Sequence, residues 1–220
     1  MEVNEVCAKR RSISPRGGTR HTKDSGSPNI KRIYNSIYFS DRINHDTAHA
    51  LILMLRNCEL DILDDLKAAE AENKKVKESR YAEPSFEPKP IELYLTTYGG
   101  LVHAAFAVVD VIRSLRVPVH TIVLGYVASA GTLISLAGTK RFITPNAFLM
   151  IHEIRGGFWG KASDARVEYE NVTKLMTHIT EYYLGKTRIA RERLVELLRT
   201  DTDLNATECV AMGLVESIRV

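Results

Sequence analysis

Ile91-Glu-Leu-Tyr-Leu-Thr-Thr-Tyr-Gly99-Gly100 alternates apolar and polar side chains and then breaks at a glycine pair. Alternation with period two predicts a half-buried strand, and Gly-Gly predicts the turn that ends it. Leu101 to Arg116 carries a helical apolar period until Pro118 stops it, and His120 to Gly125 reads as a buried strand. The pattern then repeats. Gly125-Tyr-Val-Ala-Ser129-Ala-Gly131 turns out of that strand into a small-residue helix, Ser129 to Ala137, and Arg141 to Ile143 and Ala147 to Ile151 read as further strands. This β-α-β-α alternation predicts a mixed α/β fold around a largely parallel sheet. Sites in such sheets form beyond the carboxyl ends of the strands, where Gly99-Gly100 and Ser129 both fall.

Toward the N-terminus, Ile33 to Phe39 reads as one short strand. Asn44 or Asp46 then caps a helix that buries Ala48, Leu51, Ile52 and Leu55. Asp61 to Lys77 is mostly Asp, Glu, Lys and Ala, which predicts an exposed helix ended by Pro84, Pro88 and Pro90. Residues 62–89 are read as a surface insertion. Residues 1–30 are rich in Ser, Gly, Arg and Lys without apolar period and read as a disordered basic arm.

Toward the C-terminus, Arg155-Gly-Gly-Phe-Trp-Gly160 is too glycine-rich for an ordinary core element. It precedes a helix from Ser163 to Gly185 with the apolar stripe Val172, Leu175, Met176, Ile179 and Tyr183. A helix of that length spans ~30 Å and projects from a compact sheet unless another subunit covers it. A helix from Ala190 to Leu198, a short final helix and a strand from Leu214 to Ile218 close the chain.

The 220 residues fit one domain with appendages, residues 31–220 after the arm. The apolar run Thr121 to Ala137 is too short and too interrupted to span a membrane, and the N-terminus shows no signal-type apolar run. Three scattered cysteines, Cys7, Cys58 and Cys209, suit reduced thiols, and a cytoplasmic or organellar (stroma, matrix) location follows. Net charge is +3, but residues 1–32 hold eight Lys/Arg against three Asp/Glu. The positive charge belongs to the arm, so a nucleic-acid-binding domain is not expected.

Ser129, on a strand-to-helix turn, is a candidate nucleophile that needs a base, an orienting acid and an oxyanion pocket. His152 leaves the end of a strand and enters the glycine-rich loop, where a base would reach a cleft. His103, His120 and His178 lie inside predicted elements and read as packing residues. His45 and His49 share a helix face without a third ligand, so no metal is expected. Backbone N–H groups of Gly100 and Ala130 are the candidate oxyanion donors. Gly185-Lys186-Thr187 imitates the end of a phosphate loop, but Thr180 stands where its first glycine belongs, and no nucleotide or other cofactor site is read.

Gly99-Gly100, Gly125-(x)2-Ala128-Ser129-x-Gly131, Thr144-Pro145-Asn146, Met150-Ile151-His152 and Gly156-Gly157-Phe158-x-Gly160-x-Ala162-Ser163-Asp164 occur in one order. Together with Asn205-Ala-Thr-Glu-(x)3-Met-Gly213-Leu-Val-Glu-Ser-Ile218, the set resembles the proteolytic subunits of Clp protease, the ClpP family. The resemblance runs from about Ile33 to the end, without the insertion. It implies a ClpP/crotonase-like β-α-β superhelix with a handle, strand plus long helix, at about 153–185. It also implies a Ser-His-Asp endopeptidase in which Ser129 attacks, His152 is the base and Asp201 orients it, with Asp203 as local rival and helix capping as the plain reading of both acids. Gly156, Gly157 and Phe158 would line the extended peptide.

The implied assembly is stacked heptameric rings, or a mixed ring with related subunits, acting on polypeptides fed by an AAA+ unfoldase. Several positions depart from the family's pattern: Ala130 replaces a methionine, Glu153-Ile154 replaces Gln-Pro, and Arg199-Thr-Asp201 replaces Asp-Arg-Asp. The usual axial segment is not matched, which weakens the case for an unfoldase. The rival readings are an inactive scaffold subunit, a restricted (viral) maturation protease, and a crotonase-type acyl-CoA enzyme, which needs no serine nucleophile.

Overall fold

The computed structural model describes residues 27–76, 88–156 and 160–220. The expected basic arm lies outside the described residues as far as position 26. By Asn29 the chain is already tied down, its N–H donating to Asp41 Oδ2 at 3.0 Å. Where one strand was expected, two form a hairpin: β1 (Ile30–Ile33) pairs antiparallel with β2 (Ser36–Ser40). The reason is local. Tyr34 adopts a positive φ of 54°, a turn conformation that reverses the chain, and Asn35 Nδ2 anchors the turn on the carbonyl of Pro90 at 2.8 Å.

Asn44, not Asp46, caps α1 (His45–Val76): its Oδ1 accepts from Thr47 N at 2.9 Å, and Thr47 Oγ1 accepts from Asn44 N at 2.9 Å. This reciprocal pair satisfies two otherwise orphan donors. Ala48, Leu51 and Leu55 are buried, and Ile52 is half-buried. The helix runs on unbroken through Asp61, so the expected insertion begins as the outer turns of α1; residues 77–87 lie outside the described residues.

The centre of the molecule is a sheet in the order β1-β2-β3-β4-β5-β8. β3 (Ile91–Thr97), β4 (Val119–Ala128), β5 (Lys140–Ile143) and β8 (Ser217–Ile218) continue it from β2 in parallel. Burial alternates along β3, as its period-two sequence requires, with Ile91, Leu93 and Leu95 fully enclosed. The crossover α2 (Val102–Ser114) buries Ala104, Ala105, Val108, Val109 and Ile112 at helical spacing. The helix expected from Ser129 to Ala137 is shorter, α3 (Ala130–Ser135), and ends in a tight turn in which Ala137 N donates to Ile134 O.

β4 forks. Its residues 120–123 pair with β5, and Tyr126, Val127 and Ala128 pair with β6 (Phe148–Met150). Gly125, at the fork, has a φ of 71°. β6 in turn pairs antiparallel with β7 (Asp203–Asn205), a strand whose three residues carry no readable period. The remaining helices are α4 (Ala162–Lys186), α5 (Arg191–Thr200) and α6 (Ala206–Met212). β8 is shorter than expected because Leu214 N and Val215 N still serve the end of α6, donating to Cys209 O.

α4 has 25 residues, about 37 Å at the α-helical rise. Ile179 and Tyr183 are buried, while Val167 and Tyr169 nearer its start stand in solvent. The first half of the helix therefore projects, as its length demanded. Cys58 and Cys209 are buried free thiols.

Candidate active site

Three chain segments meet at the carboxyl end of the sheet. Beyond β3, Gly99 has a φ of 86° and Gly100 a φ of 151°, conformations that disfavour any side chain. Space forbids one as well: a Cβ on Gly99 would lie 2.6 Å from Ser129 Cβ, and one on Gly100 would lie 2.0 Å from Ile43 O. Gly99 thus sits directly against the turn after β4, where its Cβ would also lie 3.0 Å from Ala130 N, while Gly100 packs against Ile43.

Ser129 has φ 56° and ψ −131°. Positive φ is rare in a residue with a Cβ and persists where the surroundings over-determine it, commonly at active sites. Here the surroundings do so through the backbone. Ser129 N donates to Met150 O at 3.0 Å, and Ser129 O accepts from Thr132 N at 3.0 Å and Thr132 Oγ1 at 2.6 Å. Thr132 Oγ1 is also hydrogen-bonded to the hydroxyl of Tyr183, so α4 braces the turn. That brace had no sequence signal beyond the apolar stripe. Burial, as the main cause, pushes the Tyr183 hydroxyl well above its ordinary pKa, which keeps it a neutral hydrogen-bonding group.

The β4–β6 ladder places Ala128 opposite Met150, so Ser129 and His152 emerge side by side. Glu153 N donates to Leu198 O at 2.8 Å and fixes the chain beyond the histidine. His152 and Ser129 line one cleft of about 20 Å³ together with Ala130, Leu133, Ile154 and Tyr183. The volume admits little more than a water-sized group. The His152 side chain is only 12% exposed. Burial first, and then the Arg155 charge, lower its pKa from the ordinary 6.5, with Glu153 opposing.

Asp201 ends α5 in a left-handed conformation, φ 48° and ψ 43°, and this backbone turn carries its carboxylate toward the cleft. Its Oδ1 lies 3.8 Å from His152 Nδ1, beyond hydrogen-bond length. Its Oδ2 contacts the guanidinium of Arg155. His152 Nδ1 is buried without a hydrogen-bond partner among the described residues. Asp203 faces elsewhere, accepting from Tyr126 Oη at 2.9 Å; burial and then Asp203 raise that phenol to about 12. Neither acid caps α6, whose N-cap is Asn205 in a complete capping box with Glu208.

His103 and His178 are exposed rather than packed inside, because each sits on the outer side of its helix; His178 rests against Phe106 at 4.9 Å between ring centroids. His120 does pack, edge-on to Phe142 at 5.7 Å. His45 and His49 are exposed, and no group of metal-ligating side chains occurs among the described residues. Of the expected peptide-lining residues, Gly156 is open and exposed, whereas Gly157 and Phe158 lie outside the described residues. Among the described residues no helix is long and apolar enough to cross a membrane. A family model described as Clp protease matches residues 42–220.

Proposed function

The chain belongs to the Clp protease family, and from that premise we propose that it is a serine endopeptidase with Ser129, His152 and Asp201 as its triad. The observation that carries this reading is Ser129 itself. It is held at positive φ by Met150 and Thr132 and shares a narrow cleft with a half-buried histidine.

In the proposed reaction His152, neutral, accepts the Ser129 Oγ proton through Nε2 as the oxygen attacks a peptide carbonyl. The N–H groups of Gly100 and Ala130 receive the oxyanion. The intermediate collapses as His152 returns the proton to the leaving amine, and water then hydrolyses the acyl-serine by the reverse proton path. Asp201 is preferred over Asp203 as orienting acid because it is the one beside Nδ1, and Asp203 already accepts from Tyr126. The backbone at Gly156, open and exposed beyond the cleft, suits main-chain pairing with an extended peptide.

We further propose a ring assembly in the cytoplasm or an organelle interior, stacked heptamers or a mixed ring, in which the projecting half of α4 is covered. No cofactor is required, and a separate ATP-driven partner would supply unfolded substrate. The 62–89 insertion and the basic arm are proposed as appendages to the peptidase domain.

The test is labelling of assembled full-length protein with a fluorophosphonate, read by intact mass. The expected result is one adduct per chain on wild type and none on Ser129→Ala. Unlabelled wild type in intact rings would favour the scaffold reading instead.

A further inference from the structure

Arg155 stands where two demands on one carboxylate meet. Asp201 offers one oxygen to the Arg155 guanidinium and leaves the other 3.8 Å from His152 Nδ1. A bond from that nitrogen would need a separation near ~2.8–3.0 Å, so closing it takes a shift of about 1 Å in the carboxylate. The guanidinium wins the competition in this structure for a simple reason. The guanidinium brings a full positive charge to the carboxylate, whereas a neutral imidazole N–H brings only a dipole. The losing group pays twice: His152 Nδ1 stays buried and unpartnered among the described residues, and a positive charge lies near where an imidazolium must form.

We propose that Arg155 is a brake on the triad, a positioning residue that withholds Asp201 from His152 until the guanidinium is drawn away. This inference rests on the triad reading above and concerns how that site is regulated. Two features suit a releasable contact. The Arg155 side chain is 69% exposed and Asp201 39%, and ion pairs so open to water are weak and exchange readily. Arg155 also lies on the segment that opens into the glycine-rich run, outside any helix or strand, so its movement disturbs no ladder. The charged groups around His152 among the described residues are Asp201, Arg155 and Glu153. Glu153 lies on the histidine's own segment, and only Arg155 opposes protonation.

The experiment compares wild type, Arg155→Gln, Arg155→Lys, Asp201→Asn and the Arg155→Gln/Asp201→Asn double variant, all as the full chain in its assembled form. Arg155→Gln should raise kcat by about tenfold with KM unchanged, well inside the ~10⁴ that an aspartate supplies to such a triad. Its acid limb in kcat/KM should move up by about one pH unit, as an imidazole gaining a carboxylate partner requires. Arg155→Lys should keep most of the brake. The gain should vanish in the Asp201→Asn background. An unchanged or lower kcat in Arg155→Gln, or an equal gain without the Asp201 carboxylate, overturns the proposal. A ¹⁵N-imidazole titration of His152 in Ser129→Ala protein supplies a readout independent of turnover. There Arg155→Gln should raise the His152 pKa, and an unmoved pKa overturns the brake. Failure of the peptidase reading looks different: no fluorophosphonate adduct on any variant, whatever the titration shows.

Discussion

Asp201 Oδ1 and His152 Nδ1 stand 3.8 Å apart, neighbours in the site and yet beyond hydrogen-bond length. Their partnership is therefore one small movement from complete. Asp201→Asn should lower kcat by about 10²–10⁴, because an amide in that place favours the wrong histidine tautomer. Peptide turnover by assembled protein is the measurement. An unchanged rate would transfer the orienting role to Asp203.

Ionic strength should act on the same pair. Exposed charges are screened as the Debye length falls from ~10 Å at 0.1 M to ~3 Å at 1 M. Wild-type kcat should rise with added salt, and Arg155→Gln should show no such rise. Parallel salt responses in the two proteins would argue that salt acts elsewhere.

Stability should fall on mild acidification. Burial, with Arg155, lowers the folded-state pKa of His152, and burial, with Lys140, lowers that of His120, both from 6.5. Below 6.5 the unfolded chain takes up protons that the folded one resists. The contribution of each is present above 6.5 and is lost as pH falls through the folded value. Glu92 governs a lower window. Burial alone would raise its pKa, but hydrogen bonds from Arg219, Tyr94 and Ser36 outweigh that and leave it below 4.5. Its contribution is lost only as pH falls below 4.5. Urea midpoints between pH 7.5 and 5.5 should decline, and a flat profile would contradict the lowered folded-state pKa of these half-buried histidines.

Gly99→Ala should damage catalysis more than folding. The new methyl would meet Ser129 Cβ at 2.6 Å at a φ of 86°, and the two turns must part to admit it. Displacing one oxyanion donor costs about 10²–10³ in kcat. Steady-state kinetics alongside circular dichroism separates the two effects, with a native spectrum and a lost rate as the expected outcome.

Much of this site is written locally. Gly99 and Gly100 are legible because their positive φ suits glycine at the end of a strand whose period is plain, and Ser129 and His152 because each follows a readable strand. The positive φ of Ser129 is held in part by Met150, from another strand. The hairpin at Tyr34 was hidden because no glycine marks its turn, and β7 because three residues cannot show a period. The outward placement of His103 and His178 follows from which side of α2 and α4 meets the core, which type and spacing alone do not decide. Arg155 and Asp201 are 46 positions apart, and nothing in either neighbourhood announces the other. Their meeting is a product of the β6–β7 pairing.

The fork in β4 has an evolutionary consequence. Both branches reach the core, with Ile143 on β5 and Leu149 on β6 fully enclosed, but only the β6 branch leads on to Ser129 and His152. Substitutions at Ser129 or Asp201 fall on the second branch and leave the first intact. Under the triad proposed above, a gene duplicate substituted at either position would keep the fold and lose hydrolytic power.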